Sequence, residues 1–118
     1  DREVTALVAD LLAAEGWTTT VFTSTNRTVY DIVALRDDER QLVWTFHRPD
    51  GGAISATVVR RCATACNRSK GADRATLVTT GTLSGTTRAR ADELGVTVLD
   101  GEALVERLSA TGLADRLR

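Results

Sequence analysis

Hydrophobic positions along the chain follow two alternating periodicities, which predict helices and strands in turn. Apolar side chains recur every three or four residues in four segments, a spacing typical of amphipathic helices. These segments are residues 4–14, 53–69, 84–94 and 102–108. Short runs of β-branched, aromatic and other apolar residues lie between them and predict strands. These runs are residues 17–22, 29–35, 42–46, 75–79 and 96–99.

The order of these elements predicts a mixed α/β sheet. The polar stretch 36–40 is a turn that joins two strands into a hairpin, whereas the later strands alternate with helices, as parallel strands do. Such a sheet needs helices on both faces to cover its apolar side chains. Ser84 and Asp100 are predicted to cap the two helices that they precede. Thr79 and Thr80 are interpreted as turn residues, and the C-terminal residues 113–118 are expected to add a further turn.

Length and composition predict a single domain. The chain has 118 residues, 42% hydrophobic and 26% charged, values typical of globular proteins, and it has no methionine. We therefore expect one domain over residues 1–118 that belongs to a longer chain. No apolar run approaches the length of about 18 residues that a membrane span needs, so we expect a soluble domain without membrane contact. The net charge of -1 argues against nucleic-acid binding by bulk positive charge.

The two cysteines indicate the compartment. Cys62 and Cys66 lie one helical turn apart, and no second pair is present to complete a zinc site. A disulfide within one helix is geometrically poor, so we interpret both as small buried residues. This favours a reducing, cytoplasmic setting.

Asp31 is a carboxylate inside an otherwise apolar predicted strand, a position that is costly unless the charge has a partner or a purpose. The stretches around it, and those further along, resemble the Mrr branch of the restriction endonucleases. The resemblance rests on the helix ending at residues 11–17, the strand 29–33, and the C-terminal segments 77–84, 89–96 and 99–104. It implies a restriction-endonuclease-like three-layer α/β/α fold with a central mixed sheet of about five strands. It also implies a magnesium-dependent DNA endonuclease in which Asp31 is a metal ligand.

The sequence departs from the family pattern at the other site positions. By the usual hairpin spacing, the glutamine and lysine of the family's second strand fall on Trp44 and Phe46, and the glutamate of its first helix falls near Thr5. Tryptophan and phenylalanine cannot hold magnesium or orient water. We therefore expect a nuclease-deficient pseudoenzyme that binds DNA or acts as a scaffold and needs no metal cofactor.

Two alternatives remain open. An active, divergent endonuclease would use a relocated site with Asp31, His47 and one of the acidic residues 37–39, and would take Mg²⁺ on Asp31. The simpler interpretation is that His47 is an exposed loop residue and that Asp31 pairs with Arg27, Arg48 or a strand-end amide. The second alternative is a protein-interaction module that binds no nucleic acid.

Arginine dominates the basic residues, and several of them are candidates for DNA contact through phosphate. These are Arg27, Arg48, Arg60, Arg61 and Lys70, with Arg68 and Arg74 as further candidates. The competing interpretation is a solvated helix face with scattered charges. The remaining expected partners are a second copy, through an exposed edge strand, and other domains of the parent chain.

Overall fold

A computed structural model describes residues 2–22, 30–69 and 71–113 of the chain. Its four helices are α1 (Arg2–Ala14), α2 (Ala56–Arg68), α3 (Gly85–Leu94) and α4 (Gly101–Ala110). Its seven strands are β1 (Thr18–Val21), β2 (Ile32–Arg36), β3 (Glu39–Phe46), β4 (Ala53–Ile54), β5 (Arg74–Thr79), β6 (Thr82–Leu83) and β7 (Val96–Leu99).

Five of the strands form one mixed sheet in the order β1-β2-β3-β5-β7. The first three strands are antiparallel neighbours, and β3, β5 and β7 run parallel to one another. The parallel pairs are those that a helix connects, because a crossover must return the chain to the same end of the sheet. The prediction of a mixed five-stranded sheet is confirmed.

Helices cover both faces of the sheet and divide the core into two clusters. On one face, side chains of α1 and α4 pack on Ile32, Val43 and Val78. On the other face, the cluster of Val33, Leu42, Leu77 and their neighbours packs against α2 and α3. Alternate residues of a strand point to opposite faces, so the continuous apolar run in β3 supplies both clusters. The three-layer α/β/α arrangement is confirmed.

The helix ends follow the predicted capping residues. The side chains of Ser84 and Asp100 accept hydrogen bonds from the backbone amides of Thr87 (3.2 Å) and Ala103 (2.9 Å). Gly95 ends α3 in the left-handed conformation at φ 72°, which a residue without Cβ adopts at little cost. All four helices begin at the same edge of the sheet, where β3, β5 and β7 end. We call this the catalytic edge, because it carries the positions that the sequence singled out.

Three predicted elements differ from the structure. The turn predicted over residues 36–40 is limited to residues 37–38, because β2 extends to Arg36 and β3 begins at Glu39. Residues 53–55 were assigned to a helix, but residues 53 and 54 form β4, which pairs in parallel with β6. Ser55 then caps α2 through a bond from the Val58 amide. The strand predicted over 29–35 begins at Ile32, so Asp31 lies just before it rather than inside it. Of the residues 113–118 predicted to form a C-terminal turn, 114–118 lie outside the described ranges.

Within those ranges, the longest helices have 13 residues, and none is both long and apolar enough to cross a membrane.

Candidate functional site

Asp31 lies at the catalytic edge, where its carboxylate is held by β3. Its Oδ2 accepts a hydrogen bond from the backbone amide of Thr45 at 2.8 Å and another from the Thr45 hydroxyl at 3.2 Å. The Asp31 backbone amide also donates to the Val43 carbonyl at 2.9 Å. Asp31 thus continues the β2–β3 ladder by one further residue, with its side chain as the last acceptor. The alternative that Asp31 pairs with a strand-end amide is confirmed.

The Thr45 hydroxyl also bonds to α1. It lies 2.7 Å from the hydroxyl of Thr5, and both side chains are buried. Thr5 is therefore beside the Asp31 site, as expected for the position that corresponds to the family's helix glutamate. The result is a chain of three groups, from Asp31 through Thr45 to Thr5, in which two are neutral hydroxyls.

Trp44 and Phe46 face the opposite layer. Trp44 belongs to the buried cluster under α2 and α3, and Phe46 packs against the same cluster. The sequence placed the family's glutamine and lysine positions on these two residues, but the side chain that reaches Asp31 is that of Thr45. This corrects the placement by one residue. The physical reason is that Asp31 precedes β2, so its carboxylate reaches diagonally to the residue after Trp44.

The donor set around Asp31 does not fit a magnesium ion. Mg²⁺ prefers an octahedron of oxygen ligands that usually includes one or two carboxylates. Asp31 offers one carboxylate, and Thr45 and Thr5 offer hydroxyls that are bonded to each other. Across residues 2–22, 30–69 and 71–113, no group of three or more His, Cys, Asp or Glu side chains is placed to hold a metal.

His47 lies at the same edge and contacts β5. Its Nδ1 is 3.1 Å from the hydroxyl of Thr80, which also accepts a 2.7 Å hydrogen bond from the Arg48 amide. His47 is half-buried, so the simple picture of an exposed loop histidine is wrong. Thr80 also donates its own backbone amide to the Phe46 carbonyl at 3.1 Å, consistent with its predicted role in a turn.

The acidic turn proposed to complete a relocated site is at the other end of the hairpin. Arg36 pairs with Glu39 across the turn, whereas Ile32, next to Asp31, pairs with Val43. Six residues at about 3.3 Å each put the turn roughly 20 Å from Asp31. Glu39 is also engaged in an ion pair with Arg74 at 2.8 Å. Residues 37–39 therefore cannot join Asp31 and His47 in one site, and Arg74 has a carboxylate partner.

Close backbone contacts at the catalytic edge leave little room for rearrangement. A Cβ added to Gly81 would lie 2.1 Å from the Gly52 carbonyl oxygen and 2.9 Å from the Arg48 Cβ. The Gly81 carbonyl accepts a 2.9 Å hydrogen bond from the amide of Gly101, the first residue of α4. The loop that carries Arg48 is thereby packed between two strand ends.

Three arginines without a carboxylate partner among the residues that the structure describes lie together along α2. Among those whose side chains the structure describes, ion pairs join four to acidic residues: Arg74, Arg88, Arg90 and Arg107. The described part of the chain contains no ion pair or side-chain hydrogen bond for three others, which are exposed along α2: Arg60, Arg61 and Arg68. The Arg48 guanidinium lies 5.8 Å from the centre of the Phe46 ring and donates to the His47 carbonyl at 3.3 Å. Two predicted contacts, Arg27 and Lys70, lie outside the described residues.

Arg60, Arg61 and Arg68 border a groove between β3 and α2. The groove has a volume of about 640 Å³ and is lined by Trp44 and Phe46 on the strand side. The helix supplies the rest of the lining: Thr57, Val58, Arg60, Arg61, Cys62, Thr64, Ala65 and Arg68. We call it the α2 groove. The sequence pattern does not predict this combination of an apolar floor and arginines on the rim, because the strand residues are 11 to 24 positions away from the helix residues.

Cys62 lies at the inner side of this groove and is not set up as a nucleophile. Burial, and then the negative charge of Asp31, raise the pKa of its thiol to about 12. The pKa of the half-buried Cys66 thiol is also raised, by burial and then by Asp73. Both cysteines are free thiols. Both remain protonated near neutral pH, in agreement with a structural role.

The fold and the position of Asp31 at the catalytic edge agree with a family match. Residues 1–108 match the Mrr catalytic family, described as restriction endonuclease, and the chain belongs to that family. Comparison with curated protein sequences gives no match.

Solved structures with the same fold include nucleases. A protein of unknown function, AF1548, superposes with a TM-score of 0.77 at 18% identity, covering 91% of this chain and 66% of its own. MspJI restriction endonuclease, solved with a 27-mer oligonucleotide, gives 0.62 at 17% identity, covering 98% of this chain and 30% of its own. The DNA modification-dependent restriction endonuclease AspBHI gives 0.64 at 14%, covering 98% and 32%. This chain therefore spans about two thirds of the first protein and about a third of the other two.

Proposed function

We propose that this chain is a DNA-binding domain of the restriction endonuclease family that no longer cleaves DNA. The observation that carries the proposal is the neighbourhood of Asp31, whose carboxylate is bonded to Thr45 where a second metal ligand would be needed. The Thr45 hydroxyl stands where the resemblance puts a glutamine, and it lacks the amide oxygen that could ligate a metal. The Thr5 hydroxyl stands where the resemblance puts a glutamate, so a negative charge is missing on α1 as well.

DNA contact is assigned to the arginines along α2 and to Arg48. An arginine without a carboxylate partner keeps its full positive charge for a phosphate, which its planar donors can bind in a bidentate manner. Arg60 and Arg61 are exposed and meet this condition among the described residues. The four helix N-termini at the catalytic edge add partial positive charge near Arg48. The overall charge of -1 makes this binding local to one surface.

The experiment is a titration of a short duplex against salt concentration, read by fluorescence anisotropy. Each lost phosphate contact lowers the slope of log affinity against log salt by about 0.9. For the double variant Arg60→Ala/Arg61→Ala, we expect the magnitude of this slope to fall by about 1 to 2. Arg90→Ala is the matched control, because Arg90 is an exposed helix arginine paired with Glu93 at 3.0 Å. An unchanged slope in the double variant, or no salt-dependent binding at all, would favour the protein-interaction module instead.

An active nuclease is the second candidate, and one observation favours it. Asp31 and the half-buried His47 lie at the same edge of the sheet, where α1, β3 and β5 meet. If this candidate is correct, the wild type should cleave plasmid DNA in Mg²⁺ and Mn²⁺, and Asp31→Ala should not. The cofactor would then be Mg²⁺.

The same proposal covers location and assembly. The reduced cysteines of α2 suit a cytoplasmic protein. A homodimer would form through β1, which has no neighbouring strand on its outer side in the described sheet and exposes 48% of Val21. Other domains of a longer protein would supply sequence recognition, since the similar nucleases are about three times as long as the part that this chain matches. Size-exclusion chromatography with light scattering tests the dimer.

A further inference from the structure

The α2 groove is open because the helix residues that face β3 are short. Val58, Cys62 and Ala65 form its helix wall, and they leave a space of about 640 Å³ above Trp44 and Phe46. This volume falls within the range of about 300 to 1,000 Å³ typical of pockets that bind small organic groups. The groove is therefore large enough for a flat heterocycle.

The aromatic floor of the groove is fixed in place. Trp44 is 5% exposed, and its ring meets Tyr30 edge to face at 6.3 Å, while Tyr30 meets Phe22 in the same way at 5.4 Å. Phe46 is only half-buried, so part of its ring borders the open space. A floor that does not need to reorganise binds a flat ring at a smaller entropic cost.

The rim of the groove carries charge of one sign. Arg60, Arg61 and Arg68 line it, and none of the residues lining it is acidic. Arg61 and Arg68 are seven residues apart, which places them about 10 Å apart along the helix axis. The rim thus offers positive charge at both ends of an apolar slot. An apolar peptide would bury the slot but leave these cations unmatched.

We propose that the α2 groove takes one unpaired nucleobase of a DNA strand, with the flanking phosphates bound by the arginines of its rim. This inference rests on the proposed DNA binding and specifies its substrate class. Bases inside a duplex are stacked and cannot enter such a slot, so the ligand is a single strand or a duplex with an extrahelical base. Stacking on aromatic rings accepts any base, so the groove selects unpaired bases without selecting sequence.

The test compares three fluorescent probes: a perfect duplex, the same duplex with one extrahelical thymine, and a thymine single strand. Ala65→Phe fills the groove, and Ala89→Phe on the exposed side of α3 is the control. We expect Ala65→Phe to weaken binding of the two probes with unpaired bases about 5- to 100-fold and to leave duplex binding unchanged. The control should bind all three probes as the wild type does.

A second variant and a spectroscopic measurement cover the possibility that Ala65→Phe does not fold. Phe46→Leu keeps an apolar side chain but removes the ring, and it should lose the same preference. In a Trp17→Phe background Trp44 is the only tryptophan, and the single strand should change its fluorescence. Equal weakening of all probes, no preference for unpaired bases, or a Trp44 response to an uncharged apolar peptide but not to DNA would overturn the proposal. If duplex binding through Arg60 and Arg61 is intact but unpaired bases are not preferred, only the inference about the α2 groove is overturned, and the proposed function stands. Loss of all DNA binding would overturn the proposed function as well.

Discussion

Thr45 gives the Asp31 carboxylate two hydrogen bonds, one from its backbone amide at 2.8 Å and one from its hydroxyl at 3.2 Å. The Asp31 carboxylate therefore has a structural role as the acceptor for Thr45 near the end of β3. A buried strand-end amide needs an acceptor, and here a side chain supplies it. The same contact explains how a carboxylate that is costly to bury is tolerated at this position.

Substitution of Asp31 should separate this structural role from charge. In Asp31→Asn, the amide oxygen can still accept from Thr45, so we expect only a small loss of stability. Asp31→Ala leaves the Thr45 amide without its acceptor and should lower the free energy of unfolding by about 1 to 3 kcal/mol. Urea denaturation measures both values. Equal losses in the two variants would show that the hydrogen bonds from Thr45 contribute nothing.

A second carboxylate at the Thr45 position should create metal affinity. In Thr45→Glu, two acidic side chains would adjoin at the catalytic edge, and we expect Mn²⁺ to raise the melting temperature of this variant in a concentration-dependent way. Phe46→Glu is the control, because it adds the same charge on the opposite face of β3 and should show no such rise. Circular dichroism establishes that both variants fold. An equal rise in the wild type would contradict the account of the site.

Most of the fold could be predicted from the sequence because its signals are local. The apolar periodicity of α1, the caps Ser84 and Asp100, and Gly95 at the end of α3 each depend on residues within one or two turns. The pairing of β4 with β6 joins two residues to two others about 30 positions away. The two residues of β4 are too few to show the alternation typical of a strand. The predicted helix therefore includes them.

The site was predicted less well because it depends on register. Asp31 was identified correctly as an unusual residue, but its partner was placed on Trp44 instead of Thr45. A shift of one residue in a strand moves a side chain to the other face. The residue types do not determine where β2 starts or how the chain bends at Asp31. These two features decide which residue of β3 faces the Asp31 carboxylate. One signal was available, since Thr45 is the polar residue between two aromatic ones and must face away from them.

Gly81, at the catalytic edge, should not tolerate even the methyl side chain of alanine. Gly81→Ala places a methyl group 2.1 Å from the Gly52 carbonyl oxygen, a distance that requires the backbone to move. We expect a loss of about 2 kcal/mol or more, together with weaker DNA binding, because Arg48 is on the displaced loop. Gly85→Ala is the matched control, since nothing lies within 4 Å of its Cβ and helix propensity favours alanine. It should be neutral or stabilising. Equal effects at both positions would contradict the packing described for this edge.

Asp100 should make stability depend on pH in the acid range. A hydrogen bond from the Ala103 amide, and to a smaller extent the Arg88 side chain, lower the pKa of Asp100 below its ordinary value of 3.8 although burial opposes them. A lowered folded-state pKa gives stability that is present above the unfolded-state pKa and is lost as the pH falls through the folded-state pKa. Asp100→Asn keeps the N-cap and removes the charge. The difference in stability between wild type and variant should thus be largest near neutral pH and shrink below about pH 4.

Thermal unfolding of both proteins between acid and neutral pH measures this difference. Asp92→Asn is a suitable control, because Asp92 is exposed on α3 and caps no helix. A difference for Asp100→Asn that stays constant over the whole range would contradict the assigned cause.

The central claim, DNA binding without cleavage, is tested most directly in a single plasmid incubation. Supercoiled plasmid is mixed with purified protein in Mg²⁺ and separately in Mn²⁺, and each sample is divided between a mobility-shift gel and a gel run after protein removal. We predict a shifted band in the first gel and intact supercoiled DNA in the second, for wild type and Asp31→Ala alike. Nicked or linear DNA that appears with the wild type and disappears with Asp31→Ala would contradict the account.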